Sequence, residues 1–157
     1  MTCFESFFEE FTPPENLKFN AILATHVFEH FEDTVHVLKK ARNWLAHKGR
    51  IIITVPNAES IHRKLAVKMG LQKSIYDLSA RDVEVGHVRV YDIDSLRDHV
   101  LQAGGYKIIN ESGMFLKTVH LGLMKEYSDD LLKALFNISE EIPPRLLANI
   151  LMVVEKE

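Results

Sequence analysis

The sequence predicts a single α/β domain whose sheet is mostly parallel. Two short apolar runs, 19–24 and 51–55, are typical of buried strands, and each is followed by a segment whose apolar residues have helical spacing. Strand and helix patterns that alternate along a chain are typical of α/β folds. The length of 157 residues fits one domain with an ordinary core.

The composition is that of an ordinary globular domain and argues against several other classes of protein. Hydrophobic residues make up 46% of the chain and charged residues 26%, and the net charge of −3 comes with no basic block, so nucleic-acid binding is not expected. No apolar run approaches the roughly 18 residues of a membrane span. One cysteine, Cys3, excludes an internal disulfide, and the first residues lack a signal-peptide pattern, so we expect a cytoplasmic protein.

The first part of the chain contains a predicted strand and a predicted helix. Residues 1–18 combine phenylalanines with acidic residues and end near two prolines, a pattern that allows a short strand followed by a turn. The run 19–24 is almost continuously apolar, which predicts a strand buried on both faces. A helix is expected next, because Asp33 can cap its start and apolar residues follow at steps of three and four up to Leu45. Gly49 then lies where a left-handed C-cap would end that helix.

The middle of the chain continues the alternation of strands and helices. The run 51–55 is β-branched throughout and is the clearest strand. Residues 58–69 have helical spacing, whereas 71–91 show no sustained period and are interpreted as a long connection. Asp94 is the expected cap of a further helix, which ends near Gly104.

The last part of the chain predicts two more strands around a helix. A third strand is expected over 106–111 and a last one over 147–154. Between them, a helix is expected to begin at Ser128 or Asp129 and to end near Ile138. The long excursion between these two strands leaves their relative direction open.

Several segments carry a resemblance to a known family. Residues 19–30 read FNAILATHVFEH and residues 51–57 read IIITVPN. They resemble the fourth strand with its turn, and the fifth strand, of class I S-adenosylmethionine-dependent methyltransferases. The segments 86–92, 113–117 and 147–154 continue the resemblance and are similar to a subgroup that acts on small molecules or sugars. The resemblance implies a Rossmann-like sheet, truncated at its N-terminal side, with strands equivalent to the family's strands 4, 5, 6 and 7 and flanking helices.

The resemblance also implies how the domain is divided and how it binds its cofactor. Residues 1–18 would be a remnant of the strand-three region, 19–116 the α/β core, and 117–157 a helical excursion with the final strand. The family's first strand ends in a glycine-rich loop with two glycines separated by one residue, and none of the seven glycines here has that spacing. We therefore expect the cofactor, S-adenosylmethionine, to bind weakly or not at all to this chain alone.

The resemblance assigns four residues to the cofactor. Ser6 corresponds to a family residue beside the adenine, and Phe7 or Phe8 could stack on the adenine, although phenylalanines are more often buried in a core. Thr25 and His26 follow a strand at the edge where the ligands of open α/β sheets collect. We therefore expect Ser6, Phe7, Thr25 and His26 to line the cofactor site.

Two histidines are the candidate catalytic residues. His26 could act as general base on an acceptor hydroxyl, since the ordinary pKa of histidine lies near neutrality, and His87 is the second candidate. The alternative for His26 is a loop histidine that faces solvent.

Three further residues are expected to bind the acceptor. Arg89 and Tyr91 alternate with His87, so the three side chains can line one pocket, or else they cap the loop onto the domain. Asn57 can contact the acceptor or start the next helix. A basic face of that helix is expected to be solvated, and the alternative is contact with an anionic acceptor; the face consists of His62, Arg63, Lys64 and Lys68.

The pair Glu29 and His30 is expected to tie the turn to neighbouring backbone, and no metal is expected. The alternative is a divalent ion held by His26, Glu29, His30 and His87, because similar clusters hold an ion in small-RNA 2′-O-methyltransferases and ubiquinone-type O-methyltransferases. Three imidazoles and one carboxylate would suit zinc or another transition metal better than magnesium.

Two functions follow from the resemblance. The first is methyl transfer from S-adenosylmethionine to a small-molecule or sugar-type acceptor. The second is a non-catalytic methyltransferase-derived partner that dimerises, or binds a complementary chain, through the edge of strand four. In the parent domain that strand pairs with strand one, so residues 22–24 would present unpaired backbone groups here.

Overall fold

The computed structural model describes residues 3, 5–15, 17–119 and 121–157, without the side chains of 121 and 122. The strands are β1 (Phe19–Thr25), β2 (Leu45–Pro56), β3 (Tyr106–Met114) and β4 (Asn149–Lys156). The α-helices are α1 (Thr34–Trp44), α2 (Ile61–Lys68), α3 (Ala80–Glu84), α4 (Ile93–Ala103) and α5 (Asp129–Asn137). Short 3-10 turns span Phe28–His30, Leu121–Met124, Ile138–Glu141 and Pro144–Leu146.

The four strands form one mixed sheet in the order β1-β2-β4-β3. β1 and β2 are parallel, as expected for two strands joined by a helix, and Ile22 faces Ile51 in their register. β4 enters the sheet between β2 and β3 and is antiparallel to both. The prediction of an α/β domain is confirmed, but that of a mostly parallel sheet is wrong, because β4 lies between β2 and β3 and runs antiparallel to both.

β1 lies at an edge of the sheet. Among the described residues its only ladder partner is β2. Ala24 packs in the core, whereas Leu23 is 69% exposed. The predicted strand is confirmed, but its burial on both faces is wrong, because one face packs on the core and the other meets solvent. The strand therefore presents a free edge, as residues 22–24 were expected to do.

Helix α1 begins as predicted and ends earlier. The carboxylate of Asp33 caps it by accepting a hydrogen bond of 2.8 Å from the backbone N–H of His36. The helix ends at Trp44, because Leu45 is extended and begins β2. Gly49 therefore lies inside β2 and is not a C-cap. A Cβ at this position would lie 2.8 Å from the carbonyl oxygen of Phe19, so glycine permits the close approach of β1.

The expected long connection over 71–91 contains helix α3. A capping box fixes its start: the Ser79 side chain accepts from the backbone N–H of Asp82, and the Asp82 carboxylate accepts from the backbone N–H of Ser79. The helix has only 5 residues, too few to show a helical period in the sequence. α4 is capped by Asp92 and not by the predicted Asp94, which lies in its first turn.

β3 is longer than predicted, α5 begins as predicted, and the first residues of the chain differ from the prediction. β3 runs on to Met114, and α5 begins after the predicted cap Ser128, whose hydroxyl accepts from the backbone N–H of Leu131 at 3.2 Å. The described residues up to 18 include turns at 8–10 and 15 and no strand, so the short strand expected over 1–18 is not found among them. Phe8 instead packs its ring on Trp44, with 4.9 Å between ring centroids.

The hydrophobic core fixes the turn that follows β1. Phe28 in this turn is fully buried and belongs to the same cluster as Leu38 of α1, Ile53 of β2 and Leu96 of α4. Burial of one such side chain contributes roughly 1.5–3 kcal/mol. Burial of Phe28 therefore anchors the turn that carries the polar residues His26 and Glu29. No helix in the described part of the chain is long and apolar enough to cross a membrane.

Candidate active site

The turn after β1 holds His26 in an unusual backbone conformation. Thr25 ends the strand with an exposed side chain, and His26 follows with φ of 52°, in the left-handed region. Its backbone N–H still donates to the carbonyl of Thr54 in β2 at 2.8 Å. A non-glycine residue in this region carries strain of roughly 1–3 kcal/mol, and such strain is concentrated at functional sites. The hydrogen bond to Thr54 in the sheet and the burial of Phe28 in the core keep His26 in this conformation.

His26 and Glu29 form a hydrogen-bonded pair. Nδ1 of His26 lies 3.2 Å from Oε1 of Glu29, which is buried, whereas the His26 side chain is 49% exposed. The hydrogen bond to the Glu29 carboxylate raises the pKa of His26, partial burial opposes this, and the charge of Glu29 adds to the rise. When Nδ1–H donates to the carboxylate, the neutral ring presents the lone pair of Nε2. The described residues offer Nε2 no hydrogen bond, so it is available to a ligand.

His87 faces the same carboxylate from the other side. It follows α3, and its Nδ1 lies 3.1 Å from Oδ1 of Asp82. Its Nε2 lies 3.8 Å from Oε1 of Glu29. The backbone of the two segments is also joined, because the N–H of Val88 donates to the carbonyl of Glu29 at 2.9 Å. The structure therefore brings His26 and His87 to one buried carboxylate, although they are far apart in sequence.

Glu29, His30 and His87 form a compact set of possible metal ligands. One donor atom from each lies within 4.8 Å of the other two. Nδ1 of His30 lies 3.1 Å from the carbonyl oxygen of Gly86, so this nitrogen donates and Nε2 is left as an acceptor. Oε2 of Glu29 is buried and has no hydrogen-bond partner among the described residues. Two imidazoles, each oriented through Nδ1, and one unsatisfied carboxylate oxygen fit a transition-metal ion. His26 is not in this set.

Sequence reasoning missed two residues behind His87. Arg63 is only 7% exposed, so its assignment to a solvated basic face is wrong. Its guanidinium donates to Oδ2 of Asp82 at 2.8 Å. Burial raises the pKa of Asp82, but the hydrogen bonds from Ser79 and the charge of Arg63 outweigh it and lower the pKa below its ordinary value. The spacing Ser79-x-x-Asp82, typical of a capping box, was the one signal in the sequence.

Asn57, a predicted acceptor contact, is buried and its amide is bonded to backbone. It is fully buried, and its amide nitrogen donates to the carbonyls of Leu147 at 2.8 Å and Arg145 at 3.0 Å. Its Oδ1 accepts from the backbone N–H of Glu59 at 3.0 Å. Both ends of the amide are therefore occupied by backbone, which excludes contact with a ligand in this conformation.

Tyr91 is also a core residue, whereas Arg89 lies nearer the surface. The Tyr91 hydroxyl is hydrogen-bonded to the Thr34 hydroxyl at 2.7 Å and to Nδ1 of His99 at 3.2 Å, and burial raises its pKa. Nη2 of Arg89 donates to the carbonyl of Glu32 at 2.8 Å. Tyr91 does not share a pocket with His87, although the two alternate in sequence. Its hydrogen bonds to Thr34 and His99 instead attach its loop to the domain, which was the alternative expectation.

The N-terminal candidates, Ser6, Phe7 and Phe8, have contacts other than the histidine cluster. The Ser6 hydroxyl donates to the carbonyl of Phe7 at 2.9 Å, and the Phe7 ring is 75% exposed. Phe8 packs on Phe31 and Trp44, so core packing, the alternative weighed for this ring, applies to Phe8 and not to Phe7. The structure records no hydrogen bond from Ser6 or ring contact of Phe7 to His26.

Comparison with known proteins identifies the family. A family model described as "Methyltransferase domain" matches residues 3–111. None of the curated proteins matches the chain. Many solved structures do, at sequence identities that are informative about the fold alone.

Three of these structures illustrate the likeness. A Mesorhizobium loti S-adenosylmethionine-dependent methyltransferase is 11% identical, with a TM-score of 0.59 over 96% of this chain and 67% of its own. A Thermotoga maritima methyltransferase, suggested to be a histamine N-methyltransferase, is 17% identical, with a TM-score of 0.57 over 95% and 61%. A Haloferax volcanii methyltransferase in complex with the Trm112 methyltransferase activator is 11% identical, with a TM-score of 0.55 over 96% and 59%.

The chain thus spans roughly three fifths to two thirds of these structures, from 59% of the Haloferax volcanii methyltransferase to 67% of the Mesorhizobium loti one. The family model covers the segment from residue 3 to residue 111, within β3, and this segment contains the whole histidine cluster. The arrangement of the sheet and helices and the match to the family model indicate the same family. The chain belongs to the methyltransferase domain family, with the class I, Rossmann-like fold of the S-adenosylmethionine-dependent methyltransferases.

Proposed function

We propose that this protein transfers a methyl group from S-adenosylmethionine to a hydroxyl or amine of a small-molecule or sugar-type acceptor, with His26 as the general base. The observation that carries the proposal is the pair formed by the half-exposed His26 and the buried Glu29, 3.2 Å apart at the carboxyl end of β1. In open α/β sheets, ligands collect at this edge.

The role of each side chain follows from its protonation state. Bound S-adenosylmethionine supplies a methyl group on a positively charged sulfur. The lone pair of the acceptor forms the new bond to the methyl carbon, while the carbon–sulfur bond breaks and its electrons stay on sulfur. His26 Nε2 accepts the proton that the acceptor loses, and Glu29 stabilises the resulting imidazolium through Nδ1. A positioned base of this kind accelerates proton transfer by roughly 10²–10⁴.

Four residues are proposed to contact the cofactor. Thr25 is exposed at the end of β1, and His26 is adjacent to it, so both lie where the strand delivers its polar side chains. Phe7 offers an exposed ring that could stack on adenine, and Ser6 is next to it in sequence. These assignments rest on the resemblance to the family. The absence of glycines spaced by one residue supports weak binding of the cofactor by this chain alone.

The acceptor side is proposed to consist of His87 and Arg89. Nε2 of His87 faces Glu29, and Nε of Arg89 has no hydrogen-bond partner among the described residues. His87 stays the second candidate for the base.

The experiment compares His26→Gln with His47→Gln, since His47 is exposed on β2 away from the turn. Transfer of tritiated methyl from millimolar S-adenosylmethionine to a panel of small alcohols, sugars and amines is measured. We expect His26→Gln to lose roughly 10²–10⁴ of the rate and His47→Gln to keep it. Equal rates for His26→Gln and the unchanged chain would exclude His26 as the base.

A metal ion is a further candidate component of the site. Glu29, His30 and His87 would hold it, and the buried Oε2 of Glu29 without a partner is the observation that favours it. The donor set suits zinc or a related transition metal. Such an ion would supply positive charge beside the acceptor, whereas His26 would keep its place as base.

A second candidate function is binding of another chain through β1. The observation that favours it is the free edge of β1, with the exposed Leu23 beside it. Unpaired strand edges bind a further strand through main-chain hydrogen bonds. A related fold from Haloferax volcanii occurs in complex with an activator. The same edge in this chain would bind a second copy or a complementary chain.

A further inference from the structure

Both oxygens of the Asp82 carboxylate have hydrogen-bond partners. Its Oδ2 accepts from the backbone N–H of Ser79 at 2.8 Å and from Nη2 of Arg63 at 2.8 Å. Its Oδ1 faces Nδ1 of His87 at 3.1 Å. The donors from Ser79 and Arg63 therefore fix the orientation of the carboxylate, and its other oxygen, Oδ1, faces the imidazole of His87.

Arg63 holds this arrangement rigid from helix α2. Its Nη1 donates to the carbonyls of Ile75 at 3.2 Å and Asp77 at 2.8 Å, so one buried guanidinium joins the loop before α3 to α3 itself. The backbone N–H of His87 also donates to the carbonyl of Asp82 at 2.9 Å. The imidazole of His87 is thus positioned by Asp82 through both its backbone and its ring.

The other side of the His87 ring faces a buried acceptor. Nε2 lies 3.8 Å from Oε1 of Glu29, and the His30 ring packs edge-on against the His87 ring, with 4.7 Å between centroids. A proton on Nδ1, donated to Asp82, leaves Nε2 as a lone pair that faces a carboxylate. Two acceptors at this distance favour a donor or a cation between them.

We propose that Asp82 is a positioning residue: it keeps the proton of neutral His87 on Nδ1 and so aims the Nε2 lone pair at the space beside Glu29. The inference rests on the proposed function only for the use of that lone pair, which would accept a hydrogen bond from the acceptor or bind an ion. The tautomer itself does not depend on methyl transfer.

Asp82→Asn provides a test with a defined direction. The two donors from Ser79 and Arg63 require an oxygen at the position of Oδ2, so the amide NH₂ must face His87. Nδ1 of His87 then becomes an acceptor and its proton moves to Nε2, where it faces the Glu29 carboxylate. The variant is almost isosteric and keeps each hydrogen bond, but it removes the charge that pairs with the buried Arg63. Circular dichroism checks that it folds, and the tautomer of the unchanged chain tests the proposal without it.

The readout is ¹⁵N chemical shifts of the histidine rings in the labelled chain, with EDTA, at a pH high enough that the His87 shifts no longer change with pH. His87→Gln identifies the resonances of His87. We expect the Nδ1–H tautomer to exceed Nε2–H by about tenfold or more in the unchanged chain, as a hydrogen bond to a charged group implies. In Asp82→Asn the preference is expected to reverse.

Two controls separate positioning from a general structural effect. Ser79→Ala weakens the start of α3 but keeps the Asp82 carboxylate, and Arg81→Gln removes an exposed ion pair with Glu84 from the same helix. Both are expected to keep the Nδ1–H tautomer. An Nε2–H tautomer in the unchanged chain, no change in Asp82→Asn, or the same reversal in Ser79→Ala would overturn the proposal. If the tautomers behave as expected but no methyl is transferred, the proposed function fails and Asp82 keeps its role.

Discussion

Nδ1 of His26 lies 3.2 Å from Oε1 of Glu29, and the two residues differ sharply in exposure. The carboxylate is enclosed by the core while the imidazole is half in solvent. A buried acceptor that orients a partly exposed imidazole is the arrangement expected of a general base and the residue that orients it.

Removal of the Glu29 charge is expected to lower the pKa of His26. The hydrogen bond to this carboxylate raises that pKa above its ordinary 6.5, and burial acts in the opposite direction. Glu29→Gln removes the charge and leaves the burial, so the pKa of His26 should fall below that of the unchanged chain. NMR titration of the His26 ring protons in EDTA measures the change. Glu32→Gln, an exposed neighbour, is the control; an unchanged His26 pKa in Glu29→Gln would contradict the pairing.

Zinc is expected to bind the cluster of Glu29, His30 and His87. Competition with a chromogenic chelator, after treatment with EDTA, measures the affinity. We expect His87→Gln to weaken binding roughly 10–100-fold or more, since even residues behind the metal ligands have effects of this size. His47→Gln is the matched control on an exposed histidine. Equal affinity in the two variants would place any bound zinc elsewhere.

Association through β1 is expected to depend on its exposed apolar residue. Leu23→Lys introduces a charge beside the free strand edge, which opposes pairing with another strand. Sedimentation velocity over a range of concentrations should show self-association of the unchanged chain and at least a tenfold rise in the dissociation constant of Leu23→Lys. Leu101→Lys on α4, where the leucine is 61% exposed, is the control. A monomer at every concentration, with β1 amides slow to exchange, would rule out a second copy as the occupant of this edge.

The cap of α4 is expected to make stability depend on acid. Burial raises the pKa of Asp92, but hydrogen bonds from the Tyr76 hydroxyl and from Ser95 outweigh this and hold the pKa below its ordinary 3.8. A carboxyl with a lower pKa in the folded state stabilises the fold above its unfolded-state pKa, and this contribution is lost as the pH falls through the folded-state pKa.

Urea unfolding at neutral pH should therefore show that Asp92→Ala lowers the free energy of unfolding by about 0.5–2 kcal/mol. The difference should shrink as the pH falls below 3.8, the ordinary pKa of the group. Asp98→Ala, at an exposed position of the same helix, is expected to change little. A difference between Asp92→Ala and the unchanged chain that stays constant down to about pH 2 would contradict the ionised cap.

Local sequence signals predicted the elements whose causes are local. Asp33 and Ser128 cap the helices that they were expected to cap, and the β-branched run 51–55 lies within β2. The wrong predictions occur where contact with a second segment of the chain determines the local structure. Leu45 has helical spacing with the residues before it, but pairing with Phe19 makes it part of a strand.

The candidate site likewise has features that the sequence predicted and features that only the packing of distant segments produced. The sequence by itself determined the α/β class, the family, a strand over 19–24 and the polar turn after it with its histidines and glutamate, because periodicity, caps and short motifs are properties of neighbouring residues. Only the tertiary structure decided that Glu29 is buried between His26 and His87, that Asp82 and Arg63 lie behind His87, and that Asn57 and Tyr91 serve the core. These relationships join residues that are distant in the chain, and burial and hydrogen bonding between such residues depend on how the elements pack, which no local pattern encodes.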